Sequence, residues 1–234
     1  MPGHNRWHPD IPAVAEVISG GSVRMECQSR WDLDERDPNA DAILCGPLSV
    51  VGAQPGDVIV VDILALGRSD GRYAGAAHPG IIGCAPGAES LRSEETGLER
   101  AGLVESSWVA NGRGGETGPI EDGSDGVLLG HVRPGLAAYE PLAAQAVRSV
   151  ERGRQIGGCS IARLTAGSRI MLPVHALGAK LSVGDLHFPE VETGDCLDSA
   201  RAGWIDLRIN LTKRGVERFR ITGPMLMPDP NRAA

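Results

Sequence analysis

Asp185 and His187 stand two apart in the stretch Gly167–Phe188, GSRIMLPVHALGAKLSVGDLHF. This stretch reads as a turn, a buried strand, a glycine-punctuated loop and a second strand. In an extended chain residues two apart project to one face, so this carboxylate and this imidazole point together. Such a pair can share a proton or hold a divalent metal, with Asp185 and His187 as its ligands. The spacing is equally that of an ordinary Gly-Asp turn followed by an unrelated histidine.

Other residues of chemical interest are scattered. His78 lies in AHPGIIGCAPG, where Pro79 and Gly80 force a turn that would present the imidazole at a strand end or loop. A ligand or base fits that position, and so does a surface histidine on a turn. Cys84 is a nucleophile by residue type, although a free cysteine behaves mostly as a small buried hydrophobe. The backbone amides of Gly157 and Gly158 can line an oxyanion pocket because glycine admits close approach, and the same pair also makes a plain flexible turn. His8, between Trp7 and Pro9, reads as structural. His4, His131 and His175 carry no partner signal.

The elements that must position these groups are mostly strands. A Gly-Ser or Gly-Asp turn precedes an apolar run in ISGGSVRMEC, AQPGDVIVVDIL, LTAGSRIMLPV and KLSVGDLHF. The run Val58–Leu64 is apolar except for Asp62, as expected of a strand covered on both faces. In GWIDLRINLTKRG, Ile205, Leu207, Ile209 and Leu211 alternate with Asp206, Arg208, Asn210 and Thr212, which predicts a half-exposed strand. A Lys213-Arg214-Gly215 turn and a partner strand carrying Phe219 and Ile221 should come next. Helix is predicted over Glu140–Glu151, with Pro141 in its first turn, and more briefly over Glu89–Arg100. The Gly-rich acidic stretch from Asn111 onward is a loop, dividing a β-rich part (1–110) from a second (139–234) across residues 111–138.

Composition excludes several classes. With 234 residues the chain can bury a real core, and with aromatics at 3% that core must be aliphatic. A net charge of −7 argues against a nucleic-acid partner, since phosphate binding needs a basic face. No apolar run reaches bilayer length, and the N-terminus shows no secretory pattern. Five scattered cysteines without a C-x-x-C pair suit a reducing compartment. The expectation is a cytoplasmic protein.

Five segments in order resemble the acetamidase/formamidase family: RWHPDIPAVAEVISGGSVRMEC, CGPLSVVGAQPGDVIVVDIL, HPGIIGCAPG, GSRIMLPVHALGAKLSVGDLHF and GWIDLRINLTKRG with VERFRITGPMLMPDP. The resemblance implies a mainly β, sandwich- or barrel-like fold with a few short helices. It implies hydrolysis of formamide or short aliphatic amides to a carboxylate and ammonia, usually by a homo-oligomer, and an active-site divalent metal such as zinc or calcium. Matched residue by residue, His78 falls on the family's "HPG" histidine, and Asp185 and His187 fall on its "GD.H" motif. In this reading these three orient or activate water, the Gly157 and Gly158 amides steady the oxyanion, and Arg154 assists by charge or positioning.

The departures are specific. Where the family has an acidic residue after Arg154 this chain has Gln155; the family's Asn after the Gly-Gly pair is deleted, and Ser160 stands where its Asp should be. The turn after "GD.HF" is replaced by Pro189-Glu190-Val191-Glu192-Thr193-Gly194-Asp195. A long family segment between Gly67 and His78 is missing. These losses motivate an alternative, a catalytically silent member kept as a binding or assembly subunit. They also motivate a substitution of the lost carboxylates by Glu190, Glu192 or Asp195.

Overall fold

The computed structural model describes residues 3–29, 42–87, 91, 107–109, 126–148, 164–189 and 200–231. Strands β1 (Arg6–Trp7), β2 (Ala15–Val17), β3 (Gly21–Cys27), β4 (Leu44–Val50), β5 (Val58–Arg68), β6 (His78–Gly83) and β7 (Ser107–Val109) come first. Helix α1 (Tyr139–Gln145) and β8 (Val147–Arg148) are next, then β9 (Arg169–Pro173), β10 (Leu181–His187) and β11 (Gly203–Thr212). Helix α2 (Gly215–Phe219) and β12 (Met225–Met227) complete the order.

The strands form two five-stranded sheets, ordered β2-β4-β10-β6-β7 and β12-β9-β5-β11-β3, with a small β1-β8 ribbon beside them. All neighbours are antiparallel except β2 and β4. Among the described residues the sheets stack as sandwich-like layers and close no barrel. Their shared core is aliphatic, as composition requires: Ile59, Val61, Ile63, Leu172, Val183, Ile205, Leu207 and Ile209 all belong to it. Each such side chain contributes roughly 1.5–3 kcal/mol by leaving water. Strands from before residue 110 and after residue 139 pair within both sheets, for β4 and β6 flank β10 while β3 and β5 flank β11. The glycine-rich stretch at 111–125 lies outside the described residues.

Strand β11 keeps the alternation read from its sequence: Ile205, Leu207 and Ile209 are fully buried and Arg208 is exposed. The segment after it differs from expectation. The Lys213–Gly215 turn leads into helix α2, not a partner strand, and β11 already has neighbours on both sides. Asp57 at the foot of β5 decides this turn. Its carboxylate accepts from Gln54 N at 2.9 Å, Lys213 Nζ at 2.6 Å and Arg214 N at 2.8 Å. Arg214 is left-handed (φ 52°), which turns the chain so that α2 packs Val216 against Val58, Met171 and Ile221.

Strand β5 is consequently covered on both faces only at its start. By Leu64, 40% exposed, its second face is open, contrary to the expectation for Val58–Leu64. The helix predicted over Glu140–Glu151 ends at Gln145, because Val147 and Arg148 are drawn into pairing with Trp7 and Arg6. β-branched Val147 gives up little helix stability in doing so. The helix predicted over Glu89–Arg100 lies outside the described residues except at Leu91.

Candidate active site

The loop Val174–Lys180 that joins β9 to β10 carries two left-handed residues, Ala179 (φ 58°) and Lys180 (φ 54°). Strand β10 then runs down the centre of its sheet between β4 and β6. Gly184-Asp185 is not a turn, as the local pattern suggests, but lies inside this strand. Val183 and Leu186, of opposite parity, both enter the central core, and between them Asp185 is left-handed (φ 53°). That conformation, which costs an L-residue on the order of 1–2 kcal/mol, shifts the alternation at the position where a carboxylate is displayed.

Register does the rest. The last residue of β10, His187, stands directly opposite the first residue of β6, His78, while the Gly184 and Leu186 that flank Asp185 pair with Ile81 and Pro79 on either side of Gly80. The two imidazole rings lie 5.1 Å apart between centroids, tilted by 56°. Asp185 Oδ2 lies 3.0 Å from His187 Nε2. Both histidines are buried, while Asp185 keeps 26% of its side chain in contact with solvent. Tyr73 closes the end of the strand: its hydroxyl donates to Pro189 O at 2.8 Å and its ring meets Phe188 edge-on.

The hydrogen-bond partners fix the tautomers. An ionised carboxylate only accepts, so His187 Nε2 carries a hydrogen, and in the neutral ring Nδ1 then carries the lone pair. Among the described residues this buried Nδ1 has no hydrogen-bond partner. His78 Nδ1 lies 3.0 Å from Pro79 O, which also only accepts, so Nδ1 donates. Burial, with the neighbouring His187 ring, lowers the His78 pKa to about 4, and the ring is neutral near pH 7. A buried polar atom without a partner is uncommon enough in native proteins to mark a place where a ligand or water belongs.

His78, Asp185 and His187, singled out from sequence, are therefore brought together. Cys84 is not with them. It lies one residue beyond β6, fully buried in the aliphatic core, and burial pushes its thiol pKa far up. A thiol so placed is a packing group, and this geometry offers Cys84 neither as the nucleophile its residue type suggests nor as a contact to substrate. Arg154, Gly157, Gly158, Gln155, Ser160, Glu190, Glu192 and Asp195 lie outside the described residues. Among the described residues no group of three or more His, Cys, Asp or Glu side chains is arranged to hold a metal. The Asp185–His187 bond occupies one oxygen and one ring nitrogen, and the two donors left to the pair are fewer than zinc or calcium requires.

Sequence reasoning missed one buried polar pair. His4 Nδ1 donates to Arg6 O at 2.6 Å, and its Nε2 lies 2.9 Å from Ser182 Oγ on β10. The partners are 178 residues apart, so no local pattern announces them. His8 is structural as read, its Nδ1 accepting from Asp10 N at 3.1 Å.

Comparison with known proteins agrees with this architecture. The chain matches the Acetamidase/Formamidase family over residues 1–72 and 68–234. It belongs to that family. The two matched stretches meet at Arg68–Arg72, within the region where the motifs leave a family segment missing. Here the chain makes a tight turn, with Gly71 N bonded to Arg68 O at 2.9 Å and Arg68 paired to Asp70. A formamidase of Methylophilus methylotrophus is 30% identical over 285 residues, covering 97% of this chain and 68% of that protein. An acetamidase of Mycolicibacterium smegmatis is 30% identical, with 97% and 70% covered. Among solved structures, a gamma lactamase from Delftia acidovorans superposes with a TM-score of 0.74 at 29% identity, over 98% of this chain and 68% of that one. An acetamidase from Yersinia enterocolitica (TM-score 0.57, 13% identity, 97% and 68% covered) shares the fold. This family member is an amidohydrolase of the formamidase/acetamidase type. No helix among the described residues is long and apolar enough to cross a membrane.

Proposed function

We propose that this chain hydrolyses formamide or short aliphatic amides to a carboxylate and ammonia, with His187 as its general base. The observation that supports this is the cross-strand meeting of His78 with His187, whose Nε2 is tied to Asp185 at 3.0 Å.

Hydrolysis of an unactivated amide requires an activated nucleophile, a stabilised oxyanion and a proton for the departing nitrogen. Asp185 holds the His187 Nε2–H and leaves the Nδ1 lone pair to take a proton from water. That water attacks the amide carbon. The oxyanion that forms is steadied by the Gly157 and Gly158 amides and by the Arg154 guanidinium, and His187 returns its proton to the leaving nitrogen. Neutral His78 beside it adds no positive charge to the pocket, so His187 becomes imidazolium without a repelling neighbour. A divalent metal, zinc or calcium, remains part of the proposal only with ligands beyond the Asp185–His187 pair, and no step above depends on it.

The relative named a gamma lactamase extends the range to be tested, since a lactam is a cyclic amide with the same C–N bond to break. We place the protein in the cytoplasm, a proposal supported by Cys27, Cys45 and Cys84, which form no disulfide. Exposed Met225 and Met227 on edge strand β12 support a homo-oligomer.

The test is ammonia release from formamide and acetamide, and ring opening of a gamma-lactam, by folded protein with and without added zinc or calcium. Turnover lost in His187→Ala supports the reading. A folded wild-type protein silent toward every amide and metal would overturn it in favour of a binding or assembly subunit.

A further inference from the structure

Gly80 lies on β6 across from Asp185, and its backbone does not need to be glycine. Its φ is outside the left-handed region, where Gly20, Gly52 and Gly71, for example, make turns that only glycine adopts readily. What excludes a side chain is space. A Cβ at Gly80 would lie 2.5 Å from Asp185 O, 2.7 Å from Asp185 Oδ2 and 2.8 Å from His187 Nε2. All three are closer than real carbon contacts allow, and the last two are the atoms of the carboxylate–imidazole hydrogen bond. Other glycines with ordinary φ are crowded differently. Gly184, Gly203 and Gly215 meet backbone and apolar side chains, as packing glycines do.

We infer that Gly80 is a positioning residue: the space left by its absent side chain is where Asp185 grips His187 and fixes which ring nitrogen is free. Left-handed Asp185 brings its carboxylate over the partner strand, and Gly80 is the gap that receives it. A methyl group there has two ways to be accommodated. The Asp185 backbone shifts away, or the carboxylate leaves Nε2. Either frees the His187 ring from its set tautomer. The inference deepens the proposed hydrolysis and rests on that reading for its catalytic consequence, although the tautomer itself is measurable without turnover.

The experiment is nitrogen-detected NMR of the histidine rings in protein carrying ¹⁵N-histidine, with His187 assigned through His187→Gln. Folding is followed by circular dichroism. In the wild type His187 should show a protected Nε2–H and an unprotonated Nδ1. In Gly80→Ala that protected signal should vanish in favour of mixed tautomers, and amide turnover should fall by about 10²-fold in kcat with KM little changed. Asp185→Ala should give the same spectrum, and adding Gly80→Ala to it should leave the tautomer mixture as it is, since the carboxylate that set the tautomer is already gone. Should Gly80→Ala alone not fold, Gly80→Ala combined with Asp185→Gly should be more stable than Gly80→Ala, because the carboxylate contact is removed while those with the residue 185 carbonyl and His187 Nε2 remain. A double variant no more stable than Gly80→Ala overturns the inference. So does a wild-type His187 protonated on Nδ1, or a folded Gly80→Ala with the wild-type tautomer. A wild type that lacks turnover yet shows the tautomer change would sink the amidase reading and leave the role of Gly80 standing.

Discussion

Asp57 and Asp185 anchor two polar clusters of opposite character. At the foot of β5, Asp57 is surrounded by Gln54 N, Lys213 Nζ and Arg214 N, with both of its oxygens engaged. At the end of β10, Asp185 bonds His187 but leaves the buried Nδ1 of that ring without a partner among the described residues. Both clusters join a turn or strand end to a chain segment far away in sequence. The Asp57 cluster is closed: each donor it collects is a backbone or side-chain group of the protein, and its effect is to fix the β11–α2 turn. The His187 cluster is open by one lone pair, and its backbone is held left-handed at Asp185. Saturated buried polarity makes structure, whereas unsaturated and strained polarity is a feature of working sites.

This contrast can be broken by substitution, and the largest effect belongs to the open cluster. His187→Ala should lower ammonia release by about 10²–10⁴-fold, the range of a lost general base, while thermal unfolding shifts little. A marked loss of stability without loss of rate would mean that the His187 cluster is structural after all.

A second test uses pH and a histidine that is closed in the manner of Asp57. Burial lowers the His4 pKa from 6.5 to about 4 despite its bond to Arg6 O. The unfolded chain therefore binds more protons than the native one between these values, and stability falls as pH drops through this window. The decline approaches about 3 kcal/mol below pH 4. Urea unfolding from neutral pH down through this window should show the slope, and His4→Gln should reduce it by the His4 share while that of His78, lowered in the same way, remains.

Asp57→Ala is the complementary experiment, with an expected cost of about 2 kcal/mol from stranded donors, discounted because Lys213 is partly exposed. Chemical denaturation measures it, and kcat of the folded variant should stay unchanged. Burial would raise the Asp57 pKa, but the bonds from Lys213, Arg214 and Gln54 outweigh it and hold the carboxyl below its ordinary value. Its contribution is present above the ordinary carboxylate pKa and is lost as pH falls below it. The smallest effect is expected of Tyr73→Phe, which removes one bond to Pro189 O and should cost about 1 kcal/mol. A larger drop in turnover than in stability would place Tyr73 in the service of the β10 end.

Much of this was legible in the residues. The alternation in β11 and the apolar runs of β9 and β10 encode strands because side-chain direction repeats every two residues, which needs no tertiary information. The same period predicts Asp185 and His187 on one face, and the two do meet, although Asp185 is left-handed rather than extended; the ordered family motifs added His78. The motifs also located a missing segment in the region where the chain makes its tight turn at Arg68–Gly71. Turn chemistry misled at two points. Gly184-Asp185 looks like a turn and is a strand interior, and Lys213-Arg214-Gly215 looks like a hairpin and starts a helix.

Those two outcomes share a cause. A left-handed Asp or Arg is tolerated only where its surroundings over-determine it, and Asp185 and Arg214 are held by groups distant in sequence. The fold also decided that Cys84 is core, that His4 reaches Ser182, and that Gly80 is empty space beneath a carboxylate. Sequence by itself determined the strands, the aliphatic core and the identity of the Asp185–His187 pair, since each comes from local spacing and composition. Only the tertiary structure set His78 opposite His187 and left Nδ1 open, because strand register is fixed by packing between chain segments about a hundred residues apart.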